Sequence, residues 1–522
     1  MSAAYADVDA SSSPPRVHVP RDYNAAVDFV DRHVAQGRGA KVAFRDDAGS
    51  LTYAALKERT ARAGNALRAL GVQAEQRVAL CMLDSVDFPC VFFGAIKAGA
   101  VPVPLNTLLT TQEYAFMLKD SRARVLVVSD ALWPRLEPAA AAAPLLSRVV
   151  RTGELDALLA QASPELDAAP TCCDDVAFWL YSSGSTGAPK GALHLQSHLV
   201  QTAALYGRGV LGMREDDVVF SAAKLFFAYG LGNAMTFPLH AGATAVLMAE
   251  RPTPAAVMRT LHAHQPTLFG GVPTLFAAIL ADPSLDRAAG SARLRASISA
   301  GEALPRHVGE RWRERFGSDI LDGIGSTEML HIFISNRHGD VRYGTSGKPV
   351  PGYDVKLVDE SGEPVADGDE GALWVRGPTS CASYWNQRDK TLATFHGPWT
   401  RTGDTYVRDG DGFYTYCGRS DDMLKVGGIW VSPFEVESTL AAHDAVLEAA
   451  VVGQEDDEGL VKPRAHVVLK RREDASEALA DELKAFVKER LAHYKYPRWI
   501  VFVDELPKTA TGKIQRFRLR SG

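Results

Sequence analysis

Short apolar runs and stretches with apolar residues at helical spacing alternate along most of this chain. Val42-Ala43-Phe44 and Leu51-Thr52-Tyr53 flank Asp46-Asp47-Ala48-Gly49, which predicts a hairpin. Ala54 to Leu70 keeps the helical period and stops before Gly71, a glycine cap. Arg77 to Met82 predicts a strand, Val86 to Ala98 a helix and Val101 to Pro104 the next strand, which makes a βαβ unit. Gln112 to Lys119 and Arg124 to Ser129 repeat the alternation, and the alanine-rich Glu137 to Ala143 predicts a surface helix. The strand predictions continue at Val176 to Leu180, Val218 to Phe220, Thr244 to Met248, Thr267 to Phe269 and Ala296 to Ile298, with helical stretches between them. Such alternation implies parallel, doubly wound sheets.

From about Gly339 the pattern shortens to β-runs such as Tyr353 to Val358 and Gly371 to Arg376, separated by Gly, Asp and Pro. Beyond Cys417 to Asp422 come a short helix (Pro433 to Ala442), strands at Leu447 to Val452 and Ala465 to Leu469, a long helix (Leu479 to Leu491) and a last strand (Trp499 to Val503). The expected organisation is a disordered leader at 1–20, a large α/β domain at 21–418 with a small β-rich subdomain at roughly 339–418, and a small α+β C-terminal domain at 419–522.

Composition narrows the function classes. A chain of 522 residues exceeds one core, and 46% hydrophobic with 23% charged residues is ordinary globular usage. A net charge of -6 gives no reason to expect nucleic acid or an anionic membrane as partner. The six cysteines show no metal-ligand spacing and are expected as reduced, packed thiols. Met1 to Pro20 reads as neither a signal peptide nor an anchor, and Lys97, Pro102 and Pro104 interrupt the most apolar window, so a cytoplasmic chain is expected.

The chemistry is concentrated first in Tyr181-Ser182-Ser183-Gly184-Ser185-Thr186-Gly187-Ala188-Pro189-Lys190-Gly191. Glycines turn backbone N–H groups toward a ligand, hydroxyls add donors, and Lys190 adds positive charge, so the stretch suits a triphosphate. It is no Walker A loop, because Pro189 precedes Lys190 and Gly191 follows it. A plain Gly/Ser surface turn is the competing interpretation.

Four further clusters follow. In Asp322-Gly323-Ile324-Gly325-Ser326-Thr327-Glu328, Thr327 can touch a phosphate while Glu328 holds magnesium; a solvated turn is the alternative. The second cluster runs from Tyr384-Trp385 to Trp399-Thr400-Arg401-Thr402-Gly403-Asp404, where an acid after a glycine can accept from ribose hydroxyls, or form only an Asx-turn. The third, Gly418 to Gly428, alternates charges at the expected domain boundary, and its plain interpretation is a polar linker. The fourth, Leu506 to Ile514, fixes Lys513 between glycine and apolar residues, from where it can meet a developing negative charge.

In order and spacing these clusters resemble the motifs of the adenylate-forming superfamily: acyl-CoA synthetases, peptide-synthetase adenylation domains and firefly luciferase. The resemblance runs from Leu51-Thr52-Tyr53 to Lys513 and implies the adenylate-forming enzyme fold with a mobile C-terminal domain. It also implies ATP, Mg2+ and coenzyme A as cofactors or co-substrates. Carried over residue by residue, Lys513, Lys190, Thr327 and Glu328 are catalytic, with Glu328 on the metal. Ser182, Ser183, Gly184, Ser185, Thr186 and Gly187 cradle phosphates. Gly301, Glu302 and Ala303, with Asp322, Gly323, Ile324 and Gly325, hold the nucleotide, with Asp404 on ribose and Arg419 beside it. Asp421 is the hinge, and Lys425, Gly427 and Gly428 flank the thiol channel. Ile324 departs from the family's usual aromatic residue, so an aliphatic contact replaces stacking on adenine.

The expected reaction has two halves, acyl-adenylate formation with release of pyrophosphate and then thioester formation with release of AMP. With no carrier-protein segment after Lys513 in this sequence, a free thiol such as coenzyme A is the expected acceptor. An amino-acid substrate needs a buried acid for its ammonium group, and Phe226 to Leu231 has none. Phe226, Ala228, Tyr229 and Gly230, with Ala300, Gly325, His331 and Ile332, line the expected acyl pocket, whose aromatic walls suit a flat ring. Gly323 to Phe333 looks most like bacterial benzoate–CoA ligases, which makes benzoate the expected acid and a monomer or homodimer the expected state. The alternatives are a medium-chain fatty acid or hydroxycinnamate ligase, a non-catalytic nucleotide-binding protein, and a luciferase-like oxidase.

Overall fold

The computed structural model describes residues 5–182, 189–419, 422–426, 429–456, 460–491, 493–508 and 514–520. Its largest sheet has nine strands. Six of them, Val42–Asp46, Thr244–Val246, Val218–Ser221, Leu268–Gly271, Ala296–Ser299 and Asp319–Gly325, lie side by side and parallel. Antiparallel strands close its edges, Gly49–Thr52 on one side and Ile332–Ser335 with Lys348–Pro349 on the other. The register puts Phe220, Phe269 and Ile320 on one face, packed on Trp312 and Phe276, and Val219, Leu268, Ala296 and Leu321 on the other. Both faces are therefore apolar and covered by helices, as a parallel sheet requires.

A second sheet has the order Val101–Pro104, Arg77–Cys81, Val125–Val128, Arg148–Arg151, all parallel. Its helix Asp87–Lys97 is buried on nearly every side and packs on Tyr53–Ala69. Gly64 and Gly94 make that approach possible: a Cβ on Gly94 would lie 2.7 Å from Ala63 Cβ and 2.9 Å from the Gly64 nitrogen.

The strand Val176–Ser182 joins neither parallel sheet. It pairs antiparallel with Lys190–Leu195, so the predicted phosphate loop connects the two arms of a ribbon. A five-stranded antiparallel sheet follows, Asp354–Val358, Glu370–Arg376, Trp399–Arg408, Phe395–His396 and Tyr414–Arg419, where the β-rich subdomain was expected. The C-terminal part builds its own core from helices Pro433–Ala441 and Glu477–Arg490 on strands Val446–Glu455, Val461–Leu469 and Trp499–Phe502. It meets the preceding sheet where Ser432 Oγ donates to the Cys417 carbonyl and Phe434 packs edge-on against Tyr416 at 5.3 Å.

Two expectations need correction. Residues 5–20 of the expected disordered leader carry an antiparallel pair, Asp7–Asp9 with Arg16–His18. The Ala6 N–H reaches the buried Asp28 carboxylate at 3.4 Å, and this bond ties down a segment too polar to show an apolar period. The alanine-rich helix spans Trp133–Ala141, and it buries Leu136, Ala139 and Ala140 and so is not merely superficial. All six cysteines are free, four of them buried. No helix among the described residues is long and apolar enough to cross a membrane.

Gly94→Ala raises helix propensity yet forces a methyl onto backbone. The expected outcome is a loss of about 1–3 kcal/mol by overpacking. Denaturant unfolding followed by tryptophan fluorescence checks it, and an unchanged or raised midpoint would show that the two helices can part at no cost.

Candidate functional site: a nucleotide and aryl-acid site at the strand ends

The residues expected at the acyl pocket lie beyond the C-terminal ends of the parallel strands. After Val218–Ser221 the chain runs through Phe226 into the one-turn helix Ala228–Leu231. Asp84, fully buried, accepts the Leu225 N–H at 3.2 Å and fixes this loop; burial raises its carboxyl to about 6, against the pull of Lys224. Gly230 cannot be replaced without movement, because a Cβ there would lie 2.1 Å from the Lys224 carbonyl oxygen. Phe226 is buried against Phe227, with ring centroids 4.3 Å apart.

Tyr229 Oη reaches the carbonyls of Ile298 at 2.8 Å and Gly271 at 3.0 Å, both at neighbouring strand ends. Its ring stacks on His331 at 5.7 Å, and Phe237 and Tyr206 close on His331 at 4.5 and 5.1 Å. A carbonyl only accepts, so His331 Nε2 carries its hydrogen and donates to the Tyr229 carbonyl at 3.2 Å. Its Nδ1 is then a bare acceptor, buried and without a protein partner among the described residues. Burial holds the ring neutral, with its pKa lowered to about 3. Ile332 is buried beside it, Ala300 is buried after the strand Ala296–Ser299, and Gly325 touches the His331 backbone so closely that a Cβ would lie 2.5 Å from its oxygen. The eight predicted pocket residues thus come from four neighbouring segments, with Tyr229, Gly325 and His331 in direct contact.

Gly301 has φ +94 and open space around its α-carbon, and Glu302 and Ala303 follow it half-buried. Gly323 pairs so tightly with the Ile334 strand that a Cβ would lie 2.6 Å from the Ile334 carbonyl, and Ile324 is half-buried against the main core. The Asp322 carboxyl is buried beside Ser299, its neighbour in the register, and burial raises it to about 8. Leu330, at φ +67, turns the chain sharply after Glu328 and returns it to the pocket. A left-handed leucine is strained, and such strain gathers at working sites.

Ser182 and Lys190 face each other across the ribbon. Ser183, Gly184, Ser185, Thr186 and Gly187 lie outside the described residues, as do Asp421, Gly427, Gly428, Lys513 and the side chain of Lys425. Lys190 Nζ donates to Tyr384 Oη at 3.3 Å and lies 4.4 Å from the centre of the Tyr384 ring. Burial lowers the lysine's pKa, partly offset by Glu328. Tyr384 Oη in turn donates to Glu328 Oε1 at 2.7 Å. The Thr327 carbonyl takes a hydrogen bond from buried His194 Nε2 at 2.8 Å, which fixes the segment from behind. Asp404 and Arg419 pair across adjacent strands at 3.0 Å, and Gly403, at φ +76, makes room for the guanidinium. His194 was invisible in the sequence, and Tyr384, which opens the second cluster, carried no sign there that its hydroxyl reaches Lys190 and Glu328.

Magnesium fits this arrangement. Glu328 Oε2 has no partner among the described residues and offers a hard oxygen beside Thr327. No group of three or more His, Cys, Asp or Glu side chains among the described residues could hold a metal by itself.

Residues 31–385 match the family described as AMP-binding enzyme, and residues 435–513 match its C-terminal domain. The chain belongs to the AMP-binding enzyme family. It is 60% identical to the benzoate–CoA ligase of Thauera aromatica, over 98% of each chain. A crystallised benzoate CoA ligase from Burkholderia xenovorans LB400 superposes with a TM-score of 0.90 at 54% identity, over 95% of this chain and all of that one. The anthranilate CoA ligase AuaEII, solved with anthranoyl-AMP, gives a TM-score of 0.92 at 44% identity over 96% of this chain and 98% of that one. The adenylate-forming fold is thereby established for this family member.

Its buried histidines set a pH dependence. His33, His194 and His331 are held near 3, 4 and 3, and His198 and His240 lie well below the usual range, in each case chiefly by burial. A depressed imidazole gains its proton only on unfolding, so stability is lost as pH falls below about 6.5, by about 1.4 kcal/mol per pH unit for each histidine not offset. Asp322 and Asp84, raised to about 8 and 6, act in the opposite sense but are fewer. Denaturant midpoints should fall between pH 7 and pH 5; a flat or rising midpoint would contradict the neutral histidines.

Proposed function

We propose that this chain is an ATP-dependent benzoate–CoA ligase. The observation that carries the proposal is the 60% identity, over 98% of both chains, with a benzoate–CoA ligase. The compact, aromatic-walled segment around Tyr229 and His331 fits the same substrate. A flat ring fills such a slot, whereas a flexible alkyl chain loses rotamer freedom there and outgrows it.

In the first half-reaction a benzoate oxygen attacks the α-phosphorus of ATP, the bond to the bridging oxygen breaks, and pyrophosphate leaves with the electron pair. Lys190 and the hydroxyls of 182–186 hold the departing phosphates, while Lys513 stabilises charge at the α-phosphate and bridging oxygen. Glu328 and Thr327 would hold Mg2+, which neutralises phosphate charge. Asp404, backed by Arg419, accepts from the ribose, and Gly301 to Ala303 and Gly323 to Gly325 offer backbone to the base. In the second half-reaction the thiolate of coenzyme A attacks the acyl carbon and AMP departs. Rotation of 419–522 about Asp421 withdraws Lys513 and brings Lys425, Gly427 and Gly428 to the thiol channel. The enzyme is assigned to the cytoplasm, as a monomer or homodimer.

With Mg-ATP and coenzyme A, and benzoate, 2-aminobenzoate, cinnamate, hexanoate and acetate offered side by side, benzoate should exceed hexanoate in kcat/KM by about tenfold or more. Faster turnover of hexanoate or cinnamate would overturn the aryl assignment. Lys513→Ala should lower benzoyl-AMP formation by about a hundredfold or more while leaving thioester formation from supplied benzoyl-AMP. Equal loss in both halves would remove the lysine's separate role.

A further inference from the structure

Lys190, on a strand of the ribbon, and Glu328, in the turn after the strand Asp319–Gly325, carry opposite charges and do not form a direct ion pair. One phenol stands between them. Tyr384 Oη accepts from Lys190 Nζ at 3.3 Å and donates to Glu328 Oε1 at 2.7 Å, which uses the hydroxyl in both its capacities. The Tyr384 ring is buried against Ala192, Cys381 and Phe395.

Its backbone is held from both sides. The Ala382 N–H binds the Leu193 carbonyl at 2.9 Å, the Leu193 N–H binds the Ser383 carbonyl at 3.1 Å, and the Trp385 N–H reaches the Gly191 carbonyl at 2.8 Å, so 382–385 lies along the ribbon through a bridge between Ala192 and Tyr384. On the other side the Cys381 N–H binds the Glu328 carbonyl at 2.7 Å and Thr379 Oγ1 the Met329 carbonyl at 2.8 Å. The segment 379–385 therefore joins the lysine strand to the acidic loop, and the phenol is the point where the join reaches both charges.

We infer that Tyr384 is a positioning residue that keeps Lys190 and Glu328 close but unpaired, so that phosphate and its cation each find a free charge. This rests on the ligase reading above. A direct Lys190 to Glu328 pair would have to be broken each time Mg-ATP bound. With the phenol between them, Glu328 gives up one oxygen to a neutral donor and keeps Oε2, and Lys190 rests on a ring face that it can leave for a phosphate.

The test is Tyr384→Phe, which keeps the ring and its packing and removes only the bridging oxygen. Binding of Mg2+ with a non-cleavable α,β-methylene ATP analogue, measured by titration calorimetry, should weaken about tenfold, the scale of one hydrogen bond to a charged group. Binding of the analogue with EDTA should change less than threefold, and KM for benzoate should not change. In a Glu328→Gln background the effect of Tyr384→Phe should shrink at least threefold, because the carboxylate charge it holds apart from Lys190 is gone; a merely structural role would add in full. Wild-type affinity in Tyr384→Phe, or an undiminished effect in the Glu328→Gln background, overturns the inference while leaving the ligase reading intact. A wild-type protein that makes benzoyl-AMP from no acid and binds no Mg-nucleotide overturns the reading, and the inference with it.

Discussion

The parallel pairing of six strands in the large sheet is the constraint on which everything else here depends. Parallel strands point their C-terminal ends the same way, so the loops after Ser221, Gly271, Ser299 and Gly325 emerge along one edge. Ligands of open α/β sheets bind at that edge because it gathers backbone groups from several crossovers without burying any loop. The two hydroxyl bonds of Tyr229 to strand-end carbonyls show how the pocket is measured from the sheet itself. An antiparallel arrangement would send half of these segments to the opposite side.

On that platform, close backbone approach does the shaping. Gly230, Gly232, Gly323 and Gly325 each stand where a Cβ would meet backbone or the His331 ring at under 3 Å. Main chain thus forms part of the wall around Tyr229 and His331, and main chain, unlike a side chain, does not swing aside. A neutral histidine in such a wall contributes shape and one bare acceptor without the cost of a buried charge.

Much of this was legible in the sequence because the signals are local. Helical period and glycine caps located Tyr53–Ala69 to within a residue or two, and the run Val101-Pro102-Val103-Pro104 matched its strand. What stayed hidden depends on distant parts of the chain. Residues 5–20 pair with one another and are anchored by Asp28, which no composition reveals. Tyr384 reaches Glu328 across 56 residues and Lys190 across 194, so its role exists only once the sheets have formed. The burial of the Asp322 carboxyl next to Ser299 likewise depends on a strand register that the motif alone does not carry.

The overall charge of the chain is negative, and a triphosphate is more so, which means attraction must come from a few placed cations. The cations at this site are not idle while they wait. Arg419 lies on Asp404, and Lys190 on the face and hydroxyl of Tyr384. A bare buried ammonium would shed its proton, and a tightly paired one would refuse the ligand. Between those limits, Lys190 lies half-buried on an aromatic face and a phenol oxygen, its pKa lowered by burial and partly restored by Glu328, in a lowered dielectric where any contact of the ammonium with an anion is stronger than in water.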